Sequence, residues 1–271
     1  MRFLIPILVL ALALLPGAVV AQALPNHVDS SARDTAPDLS AVPAIRFLTT
    51  TDFPPFNYRN ETGALVGFNI DLARAICTEL KVVCTMQAWP WEQAAEALAD
   101  NQGDALAAGL AITPENGKKF DFSHLYLELP ARFVTLRPKV KGFSPQELAG
   151  KAVAVRKGST HETFLTRYLP EAKPVEFASE AEALDAVAAG KAEAYFGDAM
   201  RASFWLNSHL DCCDFAGDPY FRPDLFGEGL AFALPAGRDA VRAALNYALV
   251  HLKRNGTFDQ LYLRWFPVSF Y

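Results

Sequence analysis

From Ile45 onward, short apolar runs alternate with stretches in which apolar residues recur every three or four positions. The first pattern suits covered β-strands and the second suits helices laid against them. Residues 45–49 read as an apolar strand. Asn69 stands where a helix cap is expected, ahead of Leu72, Ile76 and Leu80 at i, i+4 and i+8. Strands over 82–86 and 105–109 then flank a helix over 91–99.

The order returns about one hundred residues later. A strand over 151–155 leads into a helix from Thr160, and 175–177 is the next strand. Ser179-x-x-Glu182 is a capping box opening a helix through Leu184 and Val187, and 192–196 is a further strand. Between the two β-α-β-α-β units lies an extended segment, 131–136. A Gly-punctuated run over 227–234 and a helix over 240–254 follow the second unit. The pattern predicts an α/β chain of two lobes, each a mostly parallel sheet flanked by helices. Two crossing segments would join the lobes as a hinge, with the natural ligand cleft between them. The expected division is 44–131 plus 230–271 for lobe 1 and 132–229 for lobe 2.

The N-terminus changes the compartment. Arg2, an apolar run over 3–15, the break Pro16-Gly17 and small-residue frames ending at Ala21 and Ala23 read as a cleaved signal peptide, 1–23. Residues 24–43, polar and rich in Pro, Ser and Asp, read as a disordered lead-in. No Cys stands near the cleavage frames, so a lipid anchor is not expected and export to the periplasm is. Removing Arg2 from 25 basic residues leaves 24 against 30 acidic ones, a net charge of −6. Such a chain has no basic surface for nucleic acid. Four cysteines in an oxidising compartment invite pairing. The adjacent Cys212 and Cys213 could bridge to each other, remain thiols or pair between chains.

Several motifs fall in one order. Thr51-Asp-Phe-Pro-Pro-Phe56, Gly67-Phe-Asn-Ile-Asp-Leu72, the stretch from Asp104 to Tyr126 closing in Phe122-Ser-x-x-Tyr126, Gly197-Asp198 and Gly256-Thr-Phe span the chain from Ile45 to its end. Together they resemble the periplasmic solute-binding proteins of polar amino-acid ABC importers, the bacterial extracellular solute-binding protein family 3. The resemblance implies a monomeric, non-catalytic receptor that captures a small polar, amine-bearing solute, needs no cofactor, and delivers its ligand to an inner-membrane ABC permease. It also implies a disulfide between Cys77 and Cys84.

By the same resemblance Asp198 pairs with the ligand's α-ammonium, and Ser159 and Thr160 hold a carboxylate or similar oxygen. Phe53 packs over the ligand side chain, and Trp91 and Trp89 approach the cleft. The residues carry competing structural roles. Asp198 can cap the helix after it, Ser159-x-x-Glu162 is itself a capping box, and aromatic side chains often belong to the core. The pattern departs from the family where the carboxylate is gripped. Asn116 stands where an Arg is usual, Gly109 and Ala111 replace small hydroxyl residues, and Thr50 replaces an acidic one. Arg132 or Arg156 are candidates for the missing charge. Asp198→Ala is expected to abolish binding while leaving the ligand-free fold untouched. Two further functions fit the departures: an accessory partner of a periplasmic dehydrogenase or sensor, with a vestigial cleft, and a cyclohexadienyl-dehydratase-like enzyme using Asp198 or Glu128. The histidines, His161 included, show no metal-ligand spacing with Cys, Asp or Glu.

Overall fold

The computed structural model describes residues 36–266, so the expected signal peptide and most of the lead-in lie outside the described residues. In chain order the elements are β1 (Ala44–Thr49), β2 (Asp52–Phe53), β3 (Asn57–Arg59), β4 (Leu65–Val66), α1 (Phe68–Leu80), β5 (Val83–Ala88), α2 (Trp91–Ala99), β6 (Ala105–Ala107), β7 (Phe120–Phe122) and β8 (Ala131–Leu136). There follow β9 (Ala152–Arg156), α3 (Thr160–Tyr168), β10 (Lys173–Phe177), α4 (Glu180–Ala188), β11 (Ala194–Asp198), α5 (Ala199–Leu206), β12 (Cys213–Tyr220), α6 (Pro223–Phe226), β13 (Ala233–Pro235), α7 (Asp239–Arg254) and α8 (Thr257–Trp265).

Two five-stranded sheets organise them, in the orders β5-β1-β6-β13-β7 and β10-β9-β11-β8-β12. In the first, β1 pairs in parallel with β5 and β6 while β13 runs antiparallel to β6 and β7. The second repeats the scheme, with β9 parallel to β10 and β11 and β8 antiparallel to β11 and β12. Strands covered on both faces read as continuous apolar runs, and β11 is buried along its whole length for that reason. A small antiparallel sheet of β2, β3 and β4 sits beside the first. The chain passes between the sheets at two places. These passages touch at a bridge pairing Leu127 with Leu230.

Asn69 is not the cap of α1. Gly67 takes that position without a side-chain bond, and Asn69 lies fully buried inside the first turn. Its role is a buried polar chain. The Tyr126 hydroxyl donates to Asn69 Oδ1 at 2.8 Å, Asn69 Nδ2 donates to Asn57 Oδ1 at 2.9 Å, and Asn57 Nδ2 donates to Thr50 Oγ1 at 2.8 Å. Satisfied in this way, polar groups sit in the core without the cost of an unpaired one. Thr50 therefore ties the first lobe together rather than facing a ligand. The lead-in also orders sooner than expected: Leu39–Ala41 form a 3-10 turn capped by Asp38, and Val42 is buried in the core.

Both cysteine pairs are bridged, Cys77 to Cys84 and Cys212 to Cys213. The first closes a short loop from the end of α1 to β5, with a sequence separation of 7. Removing it with a double Cys→Ser variant is expected to lower stability by about 2 kcal/mol, read as a fall in the urea midpoint at unchanged slope.

Candidate functional site

Between the lobes lies a cavity of about 300 Å³ lined by Asp52, Phe53, Trp91, Ala108, Gly109, Arg156 and Arg201. The first lobe supplies its aromatic and acidic wall. β2 carries Asp52 and Phe53 at the end of the opening motif, and Trp91 begins α2, 44% exposed. The Phe53 ring stacks on the buried Phe56 at 4.7 Å, which holds it in place over the cleft. Gly109 leaves room for that ring, since a Cβ there would meet it at 2.9 Å.

The second lobe supplies two guanidiniums. Arg156 ends β9, and Arg201 lies in the first turn of α5. Arg201 stands 5.5 Å above the Phe53 ring, a cation–π contact across the cleft. Behind them sits Glu180, the first residue of α4, with a carboxylate 2.8 Å from Arg201 and 4.0 Å from Arg156. Arg201 also borders a second cavity of about 530 Å³ that runs along α4 and α5 toward Phe204 and Trp205.

Asp198 ends β11 and caps α5, accepting the Arg201 backbone N–H at 2.9 Å. It is 7% exposed. Burial pushes its carboxyl up to about 6, against the opposing pull of that N–H bond; the Glu180 charge adds to the rise. Two more groups share this wall. The Tyr195 hydroxyl is fully buried without a hydrogen-bond partner, and burial together with the Glu180 and Asp198 charges raises its pKa. His161 Nε2 is likewise buried and unpartnered, its ring stacked on Phe226 at 4.7 Å. Burial first, then the charges of Arg201 and Arg156, push His161 down to about 4, so the imidazole is neutral at physiological pH. Among the described residues no group of His, Cys, Asp and Glu could hold a metal ion.

Of the residues expected to touch a ligand, the structure brings Phe53, Trp91 and Gly109 to one cavity, while Asp198 lies just behind its second-lobe wall. Ala111 and Asn116 belong to a neighbouring loop. Asn116 Nδ2 donates to the Ala111 carbonyl at 2.8 Å, so its amide closes that loop on itself. Ser159 caps α3 by accepting the Glu162 N–H at 3.2 Å, and Thr160 is exposed. The capping box there is incomplete, because the Glu162 carboxylate accepts from Gly158 N rather than Ser159 N. Trp89 packs into the first-lobe core with its Nε1 buried and unpartnered. Of the two cations proposed to replace an Arg at 116, Arg132 is engaged elsewhere. It donates to the Gly217 carbonyl at 2.7 Å and lies 4.7 Å from the Phe215 ring.

Sequence reasoning missed Asp52, Glu180, Tyr195 and Arg201. For Arg201 a signal existed: it follows Asp198 by three residues, and a helix brings i and i+3 to one side. Nothing comparable marks Tyr195, since a tyrosine in an apolar strand looks like any core aromatic.

Residues 45–268 match the family model described as bacterial extracellular solute-binding proteins, family 3. A putative ABC transporter arginine-binding protein 2 from Escherichia coli K12 is 33% identical over 84% of this chain and 92% of its own length. ABC transporter arginine-binding protein 1 of the same strain is 30% identical, over 84% and 93%. A solved ancestral amino acid-binding protein, described as a precursor of cyclohexadienyl dehydratase, is 30% identical with a TM-score of 0.62, covering 84% of this chain and 97% of its own. No helix among the described residues is long and apolar enough to cross a membrane. With two lobes, a charged cleft between them and a family match over most of its length, the chain belongs to the bacterial extracellular solute-binding proteins of family 3.

Proposed function

We propose that this protein is the periplasmic receptor of an amino-acid ABC importer and that it closes its lobes on a cationic amino acid. The observation that carries the reading is the charge layout of the cavity. Asp52, Phe53 and Trp91 form an acidic and aromatic wall on one lobe, with Arg156 and Arg201 on the other. An amino acid with a positive side chain complements both walls, its head group at the second lobe and its side chain against Asp52 between the rings. Asp198 at the start of α5 takes the α-ammonium. The arginine-binding names of the relatives support this solute class.

The lobes are 44–130 plus 230–266 and 131–229, one residue earlier at the first boundary than the sequence suggests because Ala131 opens β8. The paired passages at Leu127 and Leu230 act as the hinge. Closure is a shift between open and closed populations driven by contacts to both lobes. The mature chain follows removal of 1–23, works as a monomer, and docks on the permease in its closed form. It returns its ligand chemically unchanged.

Calorimetric titration of refolded, ligand-free protein tests the reading. Arginine, lysine, ornithine and histidine are set against glutamate and leucine. One cationic amino acid is expected to bind and, at 100 times its dissociation constant, to add ~2.7 kcal/mol of stability. Binding of leucine or glutamate alone overturns the cationic assignment, and silence to every amino acid overturns the receptor reading. A catalytic reading is favoured by one observation, a buried Asp198 poised near pH 6 where it could carry a proton. Loss of carbon dioxide and water from prephenate, leaving an aromatic keto acid, or from arogenate, leaving an aromatic amino acid, in the presence of the purified protein would support it.

A further inference from the structure

We propose that Arg201, with Arg156 beside it, is the anchor for the ligand's carboxylate, so that the second lobe supplies the cation that position 116 lacks on the first. The inference rests on the receptor reading above and deepens it.

Two guanidiniums face the cavity from the second lobe, and one carboxylate serves both. Glu180 stands 2.8 Å from Arg201 and 4.0 Å from Arg156, and Asp198 lies beside it, so both carboxylates sit behind the wall while the two guanidiniums line the cavity itself. The first lobe offers the reverse. Its lining residues carry no cation, Asp52 would repel a carboxylate, and the Asn116 amide is already spent on the Ala111 carbonyl.

The helix geometry completes the case. Asp198 caps α5 and Arg201 is the third residue of its first turn, on the same side. An α-amino acid carries its ammonium and carboxylate on one carbon, and these two residues offer it one charge of each sign at that spacing. Two buried, unpartnered polar groups lie in the same field: the Tyr195 hydroxyl and His161 Nε2. The Arg201 guanidinium is held in place by Glu180 below and Phe53 across the cleft, so little freedom is lost on binding. A planar fork suits a carboxylate in a way that a lysine ammonium does not.

The test compares an amino acid with its own decarboxylated amine, L-arginine with agmatine and L-histidine with histamine, by calorimetry. Wild-type protein is expected to prefer the amino acid by ~30-fold, the worth of a charge-assisted pair. Arg201→Lys retains the charge opposite Glu180 but loses the fork. It is expected to weaken amino-acid binding by ~10-fold or more while agmatine or histamine affinity stays within about 2-fold. Arg156→Gln, at a more exposed position, should shift the same ratio in the same direction, and ligand-free melting of both variants confirms folding. Parallel loss of amino acid and amine in the variants, or no loss at all, overturns the anchor while leaving the receptor function standing. Where the wild-type protein is silent to both pairs, the comparison is made with the amino acid that binds in the panel above and its own decarboxylated amine. Silence to every amino acid there overturns the receptor reading, and the anchor with it.

Discussion

Replacing Asp198 with Asn is expected to stabilise the ligand-free protein at pH 7 while abolishing amino-acid binding. The carboxyl of Asp198 is pushed up from its ordinary value to about 6, chiefly by burial. Between the unfolded value near 3.8 and about 6, the folded chain holds a proton that the unfolded chain has released. Stability therefore falls as pH rises through this window and stays lower above it. A shift of this size corresponds to roughly 1–3 kcal/mol at pH 7, an order-of-magnitude figure for a buried group. Asn keeps the cap on α5, since its amide oxygen can accept the Arg201 N–H, and removes the buried charge. Urea melts at pH 4 and pH 8 check this. The two proteins should converge at pH 4 and separate at pH 8, with the Asn variant more stable. A wild-type protein that gains on the variant as pH rises would show that burial does not dominate at this site.

Asp198→Ala separates the two roles of the same side chain. The sequence alone suggests a variant that loses ligand and folds unchanged. The structure adds a second effect: Ala removes the same buried charge as Asn but also the cap of α5, so it is expected to be less stable than the Asn variant by ~1 kcal/mol. Retention of the charged residue despite its cost is what a site for an ammonium group requires.

Gly229→Ala is expected to destabilise the fold by about 3 kcal/mol, through backbone strain and a steric clash. Gly229 has φ +131°, and a Cβ there would lie 2.3 Å from the Leu127 carbonyl oxygen. That carbonyl cannot swing aside, because it accepts the Leu230 N–H at 2.7 Å where the two passages between the lobes meet. Gly227 provides the control. It also has positive φ, +87°, but a Cβ there meets nothing within 4 Å, so Gly227→Ala should cost only ~1 kcal/mol. The difference in urea midpoint between the two variants reports the close approach at the crossing. Equal effects would mean that the passages are not packed there. If the crossing is the hinge, Gly229→Ala also weakens ligand binding, since a splayed hinge no longer brings the two cavity walls together.

Much of the architecture was legible before any coordinates. The repeat of strand and helix, the segment 131–136 and the capping box of Ser179 and Glu182 all appear where periodicity placed them. Local rules suffice there, because a strand buried on both faces or a helix with one apolar side advertises itself in a window of ten or so residues. Caps were less secure. Asn69 and Gly67 are both acceptable at a helix start, and the choice was made by a tyrosine from another segment reaching Asn69 with its hydroxyl. The same applies to Thr50, whose hydroxyl is used by Asn57 and is therefore turned inward.

The sequence by itself determined the fold class and the family, since each rests on residue identity and local order. Only the tertiary structure decided where charge collects. Arg156, Glu180 and Arg201 lie on three different elements, and Asp52 reaches the same cavity from the opposite lobe. Electrostatic interactions depend on distance and burial rather than on separation along the chain. The fold alone places those charges face to face, and burial, helped by the neighbouring charges, raises Asp198 and leaves His161 neutral.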